Sequence, residues 1–453
     1  MQFVLAFALA FDAVLATSSS AVRPTSSLIE PALTQIEATA ATATALSPVS
    51  NVKGAGFDRF VQIWLENTDF DKAAADPDFQ FLATQGITLT NYNAVTHPSQ
   101  PNYAAVVAGD IFGLDNDDFI AVGNNISTVV DLLDTKGISW AEYQEDQPYP
   151  GFQGFNYSNQ VTYANDYVRK HNPLIRFGSV NSNATRLSLI KNFTEFDSDL
   201  AAQTLPQWMF VTPNMTNDGH DTSVTVAGTW ARNWLTPLLN NSYFMNNTLI
   251  ILTFDENETY TTRNVIYTLL LGGAVPESLR NTTDNTFYNH YSCISSVSVN
   301  WDLPSLGRWD CDANVFQTVA NKTNYENYVV DTTNLFFNES YPGPLSDSLY
   351  TPDWPVPNTL AKCASGKGVL SSIATTWGQS NGTYNYTNPY PYDTLDNNNV
   401  GGTATLPSQT SGSSSTPTSG ASSTPSSSKG AAAGLKVGAS GLLGLVGALV
   451  AFL

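Results

Sequence analysis

Three stretches able to hold a cation stand directly after apolar runs. Glu66-Asn67-Thr68-Asp69 follows Phe60–Leu65, the run PNMTNDGHD at 213–221 follows Gln207–Thr212, and Asp255-Glu256-Asn257-Glu258 follows Leu249–Phe254. Carboxylates and amide oxygens are ligands for a hard divalent cation, and imidazole joins them when the ion is softer. A fourth run, THPSQPNY at 96–103, places Ser99 just before an apolar stretch that reads as a helix, with Pro101 in the first turn, where proline is tolerated. A serine there is by default a helix N-cap. The same position also offers free backbone N–H groups to a bound phosphate, and a neighbouring cation would lower the pKa of its hydroxyl. The chemistry implied is attack by Ser99 on a phosphate ester, with Asn102 donating its amide to a phosphoryl oxygen.

The chain has four histidines. His97 lies two residues before Ser99, so alternation in an extended segment puts both on one side, within reach of a phosphate or leaving group. His220 lies in DGHD and His290 in YNHYS, while His171, in RKHNPL, reads as part of a surface loop. Any one polar run at a strand end is an ordinary loop; the coincidence of three carries the reading.

These runs need a scaffold that brings strand ends together. Candidate strands at Phe60–Leu65, Ile138–Tyr143, Gln207–Thr212, Leu249–Phe254 and Val265–Leu271 alternate with candidate helices at Asp78–Gln85, Asn102–Ala108, Thr128–Lys136 and Val224–Leu239. That alternation predicts one large α/β domain with a central, mostly parallel sheet flanked by helices. In such sheets ligands bind beyond the carboxyl ends of the strands, which is where the polar runs fall.

The 453 residues divide by composition. Residues 1–16 are an apolar run read as a signal peptide, 17–50 are expected to be poorly ordered, and 51–395 form the catalytic domain. Residues 396–429 make a Ser/Thr/Pro-rich stalk, and 430–453 end in an apolar tail with the pattern of a removed GPI-attachment signal. Acceptor triplets at Asn125, Asn156, Asn183, Asn192, Asn281, Asn321 and Asn338 agree with export; another, at Asn257, sits inside the proposed site. The surface carries 39 acidic against 19 basic side chains, a net charge of −20, which disfavours nucleic acid as a partner. Three cysteines predict one disulfide and one free thiol, with Cys293–Cys311 the more local pairing. Oligomeric state is not encoded in these patterns.

The ordered set WLENTDFD, THPSQPNY, TPNMTNDGHD, TFDENE and YNHYS resembles the phosphoesterase family of phospholipases C and acid phosphatases, within the alkaline phosphatase superfamily. The chain is most similar to the fungal secreted, phosphate-repressible acid phosphatases of that family. The resemblance implies an alkaline-phosphatase-like core and a divalent metal of unspecified identity and number. It implies metal ligation by Glu66, Asn67, Asp255 and Glu256, a nucleophile at Ser99 assisted by Asn102, and metal or phosphate binding by His220 and His290. Asp218 and Asp221 are weaker matches because spacing around that histidine varies in the superfamily. The expected activity is phosphate monoester hydrolysis on small substrates. A phosphodiesterase or phospholipase C on the same residues is the alternative, and a non-catalytic GPI-anchored wall protein the alternative of another class.

Overall fold

The structure is a computed structural model that describes residues 30–333 and 335–383 and the backbone of 404–405. The proposed signal peptide, stalk and GPI signal lie outside the described residues. Eight strands form the central sheet: β1 (Arg59–Leu65), β2 (Ile87–Leu89), β3 (Trp140–Gln144), β4 (Ile190–Lys191), β5 (Trp208–Thr212), β6 (Thr248–Phe254), β7 (Thr268–Leu271) and β8 (Thr282–Asp284). Their spatial order is β8-β2-β7-β6-β1-β5-β3-β4. The five strands from β6 to β4 are parallel, and β7 runs antiparallel to both of its neighbours. The expected α/β architecture is therefore present.

The central strands are apolar on both faces because helices cover both. All seven residues of β6, TLIILTF, are buried, as are all five of β5, the pattern of parallel strands inside an α/β sandwich. Helix Val224–Leu239 packs on helix Pro77–Ala83. Its Trp230 and Trp234 stack at 5.5 Å, and both meet Phe193. The register pairs Leu65 with Phe254 and Ile63 with Val211. Glu66, Asp255 and the 213–221 turn thus leave adjacent strands at the same edge.

Two expectations are corrected. Residues 30–50 are not loose where they are described: they form helix Leu33–Ala40 and then a strap whose polar groups serve buried partners. Ser47 donates to Asp199 at 2.5 Å, Ser50 donates to Gln207 at 2.6 Å, and Lys191 donates to the Leu46 carbonyl at 2.9 Å. The disulfide joins Cys311 to Cys363, not to Cys293. Cys293 is buried inside helix Tyr291–Trp301, facing the Tyr92 hydroxyl, so the nearest cysteine in sequence points into the core. Among the described residues no helix is long and apolar enough to cross a membrane.

Candidate active site

Ser99 is the first residue of helix Ser99–Ala108, every residue of which is buried. Its hydroxyl does not cap the helix. It donates to Glu66 Oε2 at 3.0 Å and lies 3.5 Å from Asn67 Oδ1. Asn67 adopts a left-handed backbone, φ 31°, which asparagine tolerates better than most residues. This turn aims the Asn67 N–H at Asp255 Oδ1, 3.1 Å away. The Asn67 side-chain amide also lies 3.1 Å from Asp255 Oδ1 and 3.0 Å from Glu66 Oε2.

Four carboxylates, Glu66, Asp218, Asp255 and Glu256, gather here, each at most 1% exposed. Burial raises the pKa of any carboxyl, and each neighbouring negative charge raises it further. Asp255 and Glu256 are accordingly held well above the carboxylate range, Asp255 by burial and then by Glu66, Glu256 by burial and then by Asp255 and Glu66. Burial and Glu66 push Asp218 up to about 6 against the pull of His171. Glu66 resists: despite its burial, His171 and Lys170 bring it down to about 2.

The expectation for His171 is corrected. It is not on a surface loop but is 2% exposed, between Glu66 and Asp218. Nε2 is 3.2 Å from Glu66 Oε1 and Nδ1 is 3.3 Å from Asp218 Oδ2, yet Nε2 and Asp218 Oδ2 have no aligned hydrogen bond. Burial disfavours its charge, but Glu66 and Asp218 raise it to about 9. Its ring stacks on Tyr103, whose hydroxyl donates to Glu66 Oε1. The strand-end rule, applied to the connection leaving β3, contained the signal for His171. The length of that connection, from Gln144 to Ile190, hid it.

His220 turns in from the 213–221 loop. Gly219, at φ +99°, makes that turn, and a Cβ there would stand 3.2 Å from Ala227 Cβ. Asp218 Oδ1 accepts from the His220 N–H at 2.8 Å, and Asp221 Oδ1 lies 2.7 Å from His220 Nδ1. Nε2 is thereby left facing Lys170 Nζ at 3.2 Å, and Lys170 is also paired with Asp117 at 3.0 Å.

A divalent cation suits this constellation. Ligand atoms of Glu66, His171 and His220 lie within 4.8 Å of one another. Crowded buried carboxylates beside an imidazole nitrogen with no hydrogen-bond partner are the environment a bound ion relieves. Of the four ligands expected from sequence, Glu66 belongs to this triad, Asn67 and Asp255 adjoin it, and Glu256 is buried beside them with Oε1 lacking a hydrogen-bond partner. Glu256 Oε2 lies 2.8 Å from His97 Nδ1 and accepts from Asn102 Nδ2 at 3.3 Å.

Asn102 and His290 also differ from expectation. The Asn102 amide is committed to its own loop, with Nδ2 donating to the Thr96 carbonyl at 2.8 Å and Oδ1 accepting from the Val95 N–H at 3.0 Å. It shapes the approach to Ser99. His290 is completely buried under Trp64, with Nε2 2.7 Å from the Asp255 carbonyl oxygen and Nδ1 3.3 Å from the Tyr92 hydroxyl. Burial lowers its pKa to about 3, and its ring packs beneath Asp255. His97 lies beside the site, lowered to about 4 by burial. Asn257 is 2% exposed and donates to Thr262 Oγ1 at 2.9 Å, so its acceptor triplet is closed to glycosylation.

At the carboxyl edge of the sheet a serine hydroxyl is thus oriented by a buried carboxylate beside a carboxylate–imidazole cluster. Residues 58–304 match the Phosphoesterase family, and the chain belongs to that family, whose members hydrolyse phosphate esters. It is 59% identical over 400 residues to an acid phosphatase of Aspergillus fumigatus, covering 88% of this chain and 90% of that one. It is 53% identical over 400 residues to a phosphate-repressible acid phosphatase of Penicillium chrysogenum, covering 88% and 95%. A solved structure from Vibrio parahaemolyticus, described as a protein in the alkaline phosphatase superfamily, is 11% identical, with a TM-score of 0.35 over 58% of this chain and 73% of that one.

Proposed function

We propose that this chain is an exported, metal-dependent acid phosphatase that hydrolyses phosphate monoesters through Ser99. The observation that carries the reading is the Ser99–Glu66 hydrogen bond of 3.0 Å inside a ring of buried carboxylates and His171. The relatives named above, acid phosphatases matched over nearly their whole length, support the monoester and acid assignment.

Glu66, His171 and His220 would hold the divalent cation, with Asn67 and Asp255 adjoining. When bound, the cation neutralises phosphoryl charge and lowers the pKa of the attacking hydroxyl. Glu66 orients Ser99 Oγ, and the helix beginning at Ser99 presents its dipole to the phosphate. Ser99 attacks phosphorus in line, the bond to the leaving oxygen breaks, and a phosphoseryl group forms. Water then releases phosphate. Lys170 adds positive charge at the rim, where it is 16% exposed. His97, Glu256 and Asn102 brace the loop ahead of Ser99, His290 supports Asp255, and Asp218 and Asp221 fix His220. Export and surface anchoring rest on the sequence patterns at the two ends of the chain.

Ser99→Ala, measured against a monoester and its matching diester, tests the reading. The expected result is monoester turnover lowered at least ~1,000-fold, with thermal stability and inhibition by inorganic phosphate retained. Near-normal turnover, or a wild-type preference for the diester, would overturn it.

A further inference from the structure

The carboxylates that crowd Ser99 are buried, so a substrate meets a different set of side chains first. His220, Lys170 and Asp117 have side chains 27%, 16% and 31% exposed. Tyr260 is 53% exposed. Its ring stacks on His97 with centroids 3.8 Å apart and planes 24° from parallel. His97 is itself backed by Glu256 at 2.8 Å, and it stands two residues from Ser99.

The Tyr260 segment is tied down at several points. Asn338 Nδ2 donates to the Tyr260 carbonyl at 2.6 Å and to that of Thr262 at 2.9 Å. Thr259 Oγ1 donates to Asp69 at 2.8 Å, and Asn257 closes the loop through Thr262. Partial burial, followed by the charges of Glu256, Asp117 and Asp255, pushes the Tyr260 phenol up to about 12. The ring therefore lies within the field of the site and is not a remote surface tyrosine. A ring fixed on one face and open on the other is an aromatic surface whose ordering precedes binding.

From this arrangement we propose that Tyr260 is the leaving-group platform of the enzyme, selecting phosphate monoesters whose alcohol is flat and apolar, an aryl or heteroaryl group, over those of compact polyols. The proposal rests on the monoesterase reading above. The phosphoryl group enters among Ser99, Glu66 and Lys170, while the aromatic alcohol lies against the open face of Tyr260. No new bond is made by Tyr260, which acts by contact alone.

The test compares kcat/KM for 4-nitrophenyl phosphate and glycerol 2-phosphate in the wild-type protein and in Tyr260→Leu. Taking the ratio of the two esters in each protein, and then comparing proteins, removes the difference in leaving-group reactivity. Tyr260→Leu is expected to lower the aryl-to-polyol ratio roughly three- to tenfold, the scale of an aromatic pair, chiefly through KM for the aryl ester. Tyr260→Phe, which keeps the ring, is expected to keep the wild-type ratio. An unchanged ratio in Tyr260→Leu, or an equal fall in Tyr260→Phe, would overturn the proposal. Absence of turnover on both esters in the wild-type protein would instead overturn the monoesterase reading, so the two failures are distinguishable.

Discussion

Tyr103 lies nearly flat against His171, with ring centroids 5.2 Å apart and planes 14° from parallel, while its hydroxyl donates to Glu66 Oε1. One side chain from the helix that carries Ser99 thus sets the position of both a carboxylate and an imidazole of the candidate metal triad. The Tyr103 hydroxyl is held protonated by burial and by Glu66, which keeps it a donor. Removing it with Tyr103→Phe retains the stack and deletes one hydrogen bond to a charged oxygen. Such bonds contribute about 1.5–3 kcal/mol, so kcat should fall roughly 10- to 100-fold. The metal concentration giving half-maximal activity should rise as well; an unchanged metal dependence would leave Tyr103 a packing residue only.

Chelation followed by dialysis should abolish turnover and lower the melting temperature, because the buried carboxylates lose the charge that compensates them. His220→Ala is the cleaner genetic counterpart, since His220 is partly exposed whereas His171 lies in the core. The variant should remain folded by circular dichroism while its metal content drops. Full metal occupancy in that variant would remove His220 from the ligand set.

Glu142, on β3, is completely buried, with Oε1 accepting from the Leu174 N–H at 3.0 Å and Oε2 lacking a partner. Burial pushes its carboxyl up to about 8 from an ordinary 4.5, so the folded state favours the protonated form. Its stabilising contribution is complete below pH 4.5 and is lost as pH rises through about 8. Melting temperature should therefore decline across that window, and Glu142→Gln should flatten the decline. An identical pH profile in the two proteins would show that Glu142 does not set it.

The Cys311–Cys363 bridge closes a loop spanning 52 positions in sequence. Loop-entropy arguments give such a bridge about 4 kcal/mol, and native bridges typically contribute 2–5 kcal/mol. Cys363→Ser should accordingly lower the denaturant midpoint strongly. Reductant should destabilise the wild-type protein and leave Cys363→Ser unaffected, with Cys293 contributing no second bridge.

Much of the scaffold was legible in the sequence because it is periodic or punctuated. The buried run of β6 and the amphipathic helix Val224–Leu239 fall where apolar spacing places them, and Ser99 stands at a helix start with Pro101 behind it. Side-chain partners were harder to read. Asn102 offers the same amide whether it faces a phosphate or its own loop, and a histidine motif looks alike whether its ring reaches the site, as His220 does, or is sealed beneath it, as His290 is.

The sequence by itself determined the α/β class, the polar strand ends and the serine at the head of a buried helix, since each depends on residue types within a few positions of one another. Tertiary structure alone decided that Glu66 and Asp255, 189 residues apart, leave paired strands side by side, because Leu65 and Phe254 share a register. It also decided that the connection after β3 folds back to place His171 between Glu66 and Asp218. A long connection has many sterically allowed paths, and only burial of its apolar residues together with pairing of its charges selects one.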